Sequence, residues 1–196
     1  MRGLLVFFFL LVGSSAFSYV PQPGDIVFQT SLSSQSQAVQ AATKSRYSHV
    51  GIVLFKDGKP FVFEAVQPVK YTPLKQWLNR GKDRHYVIKR LKSPLSEAVV
   101  KKMHQENKRF EGKPYDLTFE WSDERIYCSE LVWKLYKSAG GIELAPLAKL
   151  GSFDLKHPAV KIKLKERYGA KVPVNEPVIA PVAIFDSDLL ETVAER

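Results

Sequence analysis

The chain contains one cysteine, Cys128, in the run Tyr127-Cys128-Ser129-Glu130-Leu131-Val132-Trp133-Lys134-Leu135-Tyr136. Counted along a helix, Cys128, Leu131, Val132, Leu135 and Ala139 share one apolar stripe. A plain buried thiol is one reading of that stripe. The other rests on position: Cys128 stands near the start of the helix, where unpaired backbone N–H groups and the positive dipole end favour a thiolate. A thiolate nucleophile needs a base, and the candidates are His49, His85, His104 and His157. His104 lies among lysines on a helix face, His157 precedes Pro158 in a loop, and His85 follows the charged Lys82-Asp83-Arg84. His49 is different, because it interrupts an apolar strand, where an inward polar group needs a partner.

Hairpin geometry supplies one. The runs Ser48–Phe55 and Pro60–Val66 flank Lys56-Asp57-Gly58-Lys59, and Asp-Gly is the signal for a two-residue turn. With that turn, Lys56 opposes Lys59 and Gly51 opposes Glu64. Glu64 and His49 then become diagonal neighbours on one face, roughly 7–8 Å apart between α-carbons. Val62 and Val66 make that face apolar, so Glu64 reads as a buried, paired carboxylate rather than a solvent-facing one. Cysteine, histidine and carboxylate are the three parts of a thiol triad: Cys128 as nucleophile, His49 as base, Glu64 to orient the imidazole. No closely spaced Cys/His pairs suggest a structural zinc site, and no metal or cofactor is expected.

The secondary structure around these groups is expected in short pieces. A strand is expected over Ile26–Gln29, a helix over 35–43, a short helix over 74–78 and a strand over 86–91. A helix opening at Pro94 is expected to run to about Phe110, and the Cys128 helix to stop at Gly140-Gly141. Beyond it, prolines punctuate mostly irregular chain, with Val182–Phe185 a candidate last strand. The first 18 residues, with Arg2, an apolar run from Leu4 to Val12 and small residues ending at Ala16-Phe17-Ser18, have the layout of a cleavable secretory signal. The apolar run is too short to span a bilayer. Residues 19–196 are then expected to form one exported domain, periplasmic or secreted, in which a single cysteine has no internal disulfide partner. The formal charge of +9 is spread along the chain without a dense basic and aromatic window, which argues against a nucleic-acid partner. The densest basic stretch, Lys161–Arg167, reads first as a solvated helix or strand face, and second as a patch for anionic head groups or wall polymers.

Taken in order, Gly24-Asp25-Ile26-Val27-Phe28-Gln29, Tyr47–Val53, Phe63-Glu64-Ala65, Gly112-Lys113-Pro114-Tyr115-Asp116 and Tyr127–Val132 resemble the YiiX-like proteins. These are permuted relatives of the NlpC-type cell-wall peptidases in the papain-like superfamily. The permutation shows in the histidine and carboxylate preceding the cysteine. Glu130 stands where the unpermuted motif usually has glycine, and Glu64 where a histidine or other polar residue is common. The resemblance implies an α+β fold, a small antiparallel sheet packed on the helix that bears Cys128. It also implies Tyr115 and Tyr127 beside the cysteine, lining the pocket or helping to hold the oxyanion, with the Cys128 backbone N–H as first oxyanion donor. The expected activity is hydrolysis or acyl transfer at an amide or ester through a thioester. Cell-wall peptides, lipids and protein amides are all open as substrates, since permuted relatives include lipid acyltransferases as well as amidases. A binding module on the same scaffold is the alternative.

Overall fold

A computed structural model describes residues 19–196, so the signal-like segment lies outside the described residues. The centre is a six-stranded antiparallel sheet built from β1 (Ile26–Gln29), β2 (His49–Lys56), β3 (Lys59–Glu64), β4 (Lys70–Pro73), β5 (Val87–Leu91) and β8 (Leu190–Glu195). Their order across the sheet is β4-β3-β2-β1-β5-β8. Helix α1 (Ser36–Thr43) fills the β1–β2 connection and α2 (Leu74–Arg80) follows β4. Then come α3 (Glu97–Glu106), α4 (Cys128–Gly140), α5 (Pro158–Tyr168) and α6 (Pro181–Phe185), with β6 (Ala148–Lys149) and β7 (Pro177–Val178) forming a separate two-stranded ladder.

Strand alternation divides the sheet between two cores. Ile26, Phe28, Val50, Ile52, Leu54 and Phe63 face the cluster that takes in Leu131, Val132 and Leu135 of α4. Val27, Val53, Val62 and Ile88 face the other side, where Leu74 and Trp77 of α2 close a smaller cluster. The α+β arrangement, with the sheet packed on the Cys128 helix, is therefore present, and the sheet is larger than the sequence suggested.

The β2–β3 register is the one the Asp-Gly turn dictates, with Lys56 opposite Lys59 and Ile52 opposite Phe63. Asp57 and Gly58 take φ of 50° and 71°, as a turn matched to strand twist requires. Three expectations are corrected. Val182–Phe185 is not a strand but helix α6, which Pro181 opens at its first position; a short apolar run does not distinguish strand from buried helix. The last strand is instead Leu190–Glu195, mostly exposed or half-buried, which pairs with β5 at the sheet edge through a register shift. The helix expected from Pro94 begins at Glu97, because the Ser96 side chain caps it by accepting the Val99 N–H at 3.3 Å. Its α-helical part ends at Glu106, and a 3₁₀ turn follows over Asn107–Arg109.

Gly51 lies in the register position facing Glu64, and the absence of a side chain there is what lets the strands meet. A Cβ on Gly51 would stand 2.4 Å from Val62 Cγ1 and 3.2 Å from the Phe63 carbonyl. Gly51→Ala is expected to destabilise the protein by about 1–3 kcal/mol through overpacking. Urea denaturation checks this, and an unchanged midpoint would contradict the tight β2–β3 packing.

Candidate active site

Cys128 is the first residue of α4, following Tyr127 in extended conformation at the N-cap. Glu130 shapes this helix start: its Oε2 accepts the Tyr127 N–H at 3.3 Å and its Oε1 pairs with Lys134 Nζ at 2.8 Å. Burial pushes the Glu130 carboxyl up to about 7, against the opposing pull of Lys134. The residue in the glycine position of the unpermuted motif is thus a helix cap.

His49 opens β2 and Glu64 closes β3, so the hairpin brings the two strand ends together beside the sulfur. His49 Nε2 lies 2.6 Å from Glu64 Oε2. That leaves Nδ1 as the nitrogen available to Cys128, with which the ring is hydrogen-bonded. Burial pushes the Cys128 thiol up, but the His49 hydrogen bond and charge, with backbone N–H groups of Val50 and Ser129, bring it below its ordinary value. Burial pulls His49 down, and the bonds to Cys128 and Glu64 outweigh it, leaving the imidazole at about 9. The arrangement favours a thiolate beside an imidazolium.

Glu64 is fully buried and saturated with donors. Oε1 accepts from Thr72 Oγ1 at 2.6 Å, while Oε2 accepts from Trp77 Nε1 at 2.8 Å and from the Arg80 guanidinium as well as from His49. Burial alone would raise this carboxyl, yet the bonds from His49 and Arg80 hold it at about 2. The Trp77 ring also stacks on the imidazole, with centroids 5.9 Å apart. Thr72, Trp77 and Arg80 were not singled out in the sequence. Trp77 and Arg80 sit three apart on α2 and so share a face, a signal that gains meaning only once α2 is known to cover Glu64.

Tyr115 lines the same cleft as Cys128, and its hydroxyl accepts from Gln35 Nε2 at 3.2 Å, leaving its own hydrogen free to donate. The Tyr127 hydroxyl instead accepts the Ile179 N–H at 3.0 Å, so Tyr127 contributes a wall and an anchor. Ser129 Oγ donates to the Ile179 carbonyl at 2.7 Å and completes that anchor. His104 and His157 lie away from these groups, His157 capping α5 by accepting the Ala159 N–H. His85, expected on the surface, is half-buried and stacks on Tyr47.

Beside Cys128 opens a cleft shared by α1, α4 and α5. Val39, Phe119, Leu150, Leu164, Val178 and Ile179 make its wall overwhelmingly apolar, with Lys163 and Arg167 at its edge. The segment Lys161–Arg167 is therefore a helix, but not a wholly solvated one: one side of it closes this cleft.

Residues 20–194 match the family described as permuted papain-like amidase enzymes, YaeF/YiiX. The chain belongs to this family. It is 51% identical over 196 residues to the uncharacterized protein YiiX of Escherichia coli, covering all of this chain and 97% of that protein. It also superposes with a TM-score of 0.87 on the crystal structure of metalloprotein YiiX from Escherichia coli O157:H7, at 52% identity. That match covers 91% of this chain and 99% of the other. The permuted papain-like fold and an amidase family membership are thereby established.

The shifts within the pair make a prediction about stability. His49 ionises at about 9 in the fold against an ordinary 6.5, so its contribution is complete below 6.5 and lost as pH rises through 9. Glu64 ionises at about 2 against 4.5, so its contribution is complete above 4.5 and lost as pH falls through 2. Both are present between 4.5 and 6.5. The stability lost in His49→Ala, read from denaturant midpoints, should be greatest in that window and shrink toward and above pH 9. A loss that does not vary with pH would show that His49 is not an imidazolium in the fold.

Proposed function

We propose that the protein is a cysteine amidase working through a thioester, with Cys128 as nucleophile, His49 as the proton carrier and Glu64 as the group that orients the imidazole. The observation carrying this reading is the buried chain of contacts from Cys128 through His49 to Glu64, in which one carboxylate oxygen faces Nε2 at 2.6 Å. Membership of an amidase family supports it.

In the proposed sequence, the Cys128 thiolate attacks the amide carbon and the C–O double bond becomes an oxyanion. In this reading the Cys128 backbone N–H and the Tyr115 hydroxyl serve as the donors to that charge. Collapse breaks the C–N bond while His49 Nδ1 delivers its proton to the departing nitrogen. Water then enters, gives a proton to His49, and adds to the thioester carbon; the S–C bond breaks, releasing the acid and restoring the ion pair. Glu64 stays ionised throughout, because Arg80 and His49 hold it far below working pH. The apolar cleft next to Cys128 favours an apolar acyl group over a polar cell-wall peptide stem. The signal-like first residues support export as the site of action.

The related YiiX of known structure is described as a metalloprotein. Among the described residues here, no three His, Cys, Asp or Glu side chains gather as a metal cage. Glu64, the carboxylate bonded to His49, already accepts from four donors. The residues do not fit a metal at this site, and the proposed steps use none.

Cys128→Ala and His49→Ala should each lower kcat/KM on a cleaved amide by roughly 10²–10⁴-fold or more without changing the far-ultraviolet circular dichroism. Glu64→Gln, which retains an acceptor, should lose less. Rapid acid quenching of wild-type turnover followed by intact mass analysis should find the acyl group on Cys128. Either Cys128→Ala or His49→Ala retaining near-normal kcat/KM would overturn the assignment.

A further inference from the structure

Arg167 is a half-buried guanidinium at the edge of an apolar cleft. One of its nitrogens donates to Gln35 Oε1 at 2.7 Å, and its plane lies over the Phe119 ring at 5.1 Å. Its neighbour in the lining, Lys163, pairs with Glu166 at 2.7 Å. Among the described residues, no carboxylate lies within ion-pair distance of Arg167. Burial pulls its pKa below the ordinary value, the mark of a cation that the fold does not fully compensate. A partly desolvated, unpaired guanidinium has unused donors and a strong preference for a carboxylate or phosphate oxygen.

Arg167 lines the same cleft as Cys128 and is linked to its surroundings through Gln35. The Gln35 amide accepts from Arg167 and donates to the Tyr115 hydroxyl, so two hydrogen bonds separate the guanidinium from the ring that lines the cleft with Cys128. An anion held by Arg167 therefore shares one cleft with a carbonyl undergoing attack, while the surrounding wall is suited to hydrocarbon. A substrate satisfying both needs an apolar acyl chain for the wall, an amide for Cys128 and a negative charge for Arg167.

We propose that the cleft takes N-acyl amino acids: the acyl chain packs against the wall near Val39, Leu164 and Ile179, the amide carbonyl meets Cys128, and the α-carboxylate pairs with Arg167. This assignment rests on Cys128 being the nucleophile. The bond changes are those of the thioester sequence, with the amino acid leaving as the free amine once His49 has protonated its nitrogen, and the fatty acid leaving after water attacks.

The experiment compares N-dodecanoylglycine, its neutral carboxamide N-dodecanoylglycinamide, and the short N-acetylglycine. Released amine gives kcat/KM, and protection of Cys128 from iodoacetamide gives occupancy of the cleft. For wild type, the charged long-chain amide should be preferred over the neutral one by roughly 10- to 100-fold, the factor expected of a charge-assisted hydrogen bond. N-acetylglycine should be cleaved poorly and should not protect Cys128. In Arg167→Gln the charged and neutral compounds should converge, while Arg167→Lys should retain part of the preference, which separates loss of charge from loss of structure. Equal cleavage and equal protection by the two long-chain amides in wild type would overturn the proposal. If iodoacetamide still labels Cys128 faster in wild type than in His49→Ala, only the substrate assignment has failed. If those two rates are equal, the nucleophile reading has failed and the proposal with it.

Discussion

The contact on which the site depends is the bond between His49 and Glu64 inside the protein. A buried carboxylate is costly unless it is charged for a reason and hydrogen-bonded throughout. Here a backbone hairpin sets the spacing, Gly51 lets β2 and β3 approach beside Glu64, and α2 folds over the carboxylate to bring Trp77 and Arg80. Arg80 matters to the balance of charge. With thiolate, imidazolium, carboxylate and guanidinium in a row, the set is formally neutral, so the thiolate–imidazolium pair does not add net charge to the interior. The guanidinium also shares the Glu64 oxygen with the imidazole, which limits how strongly that carboxylate holds the imidazolium proton. The proton-carrying role proposed for His49 requires release as well as binding.

The same economy of position appears at Cys128. The helix that carries it buries Leu131, Val132 and Leu135 against the sheet, which fixes where its first turn begins. The next residue of β2, Val50, offers its N–H to the sulfur whose partner imidazole is on His49. One strand end thus supplies both the imidazole and a backbone donor. On the opposite side, Tyr127 and Ser129 grip Ile179 and hold the irregular chain between β7 and α6 against the cleft.

Much of this was legible in the sequence because the signals are local. Asp57-Gly58 fixes a register, and a register fixes which residues share a face. The apolar stripe behind Cys128 and the Gly140-Gly141 stop define a helix and its start. The less legible parts depend on packing between distant segments. Thr72 and Arg80 are ordinary polar residues until β4 joins the sheet edge and α2 crosses Glu64. Lys161–Arg167 reads as a solvated basic stretch, because the hydrophobic pattern of α5 is weak; only the placement of α1 against α5 shows Arg167 turned toward Gln35. Val182–Phe185 failed for a simpler reason, since four apolar residues suit a strand and a buried helical turn equally.

Everything proposed for the chemistry requires that Cys128 and His49 exist as an ion pair in the resting protein. The most direct measurement is the far-ultraviolet absorbance of the thiolate as a function of pH, taken as the difference between wild type and Cys128→Ser. An ion pair requires thiolate absorbance that persists well below the roughly 8.5 of a free cysteine and is lost at higher pH in His49→Ala than in wild type. Thiolate absorbance that appears only near or above 8.5, with the same midpoint in both proteins, would contradict it.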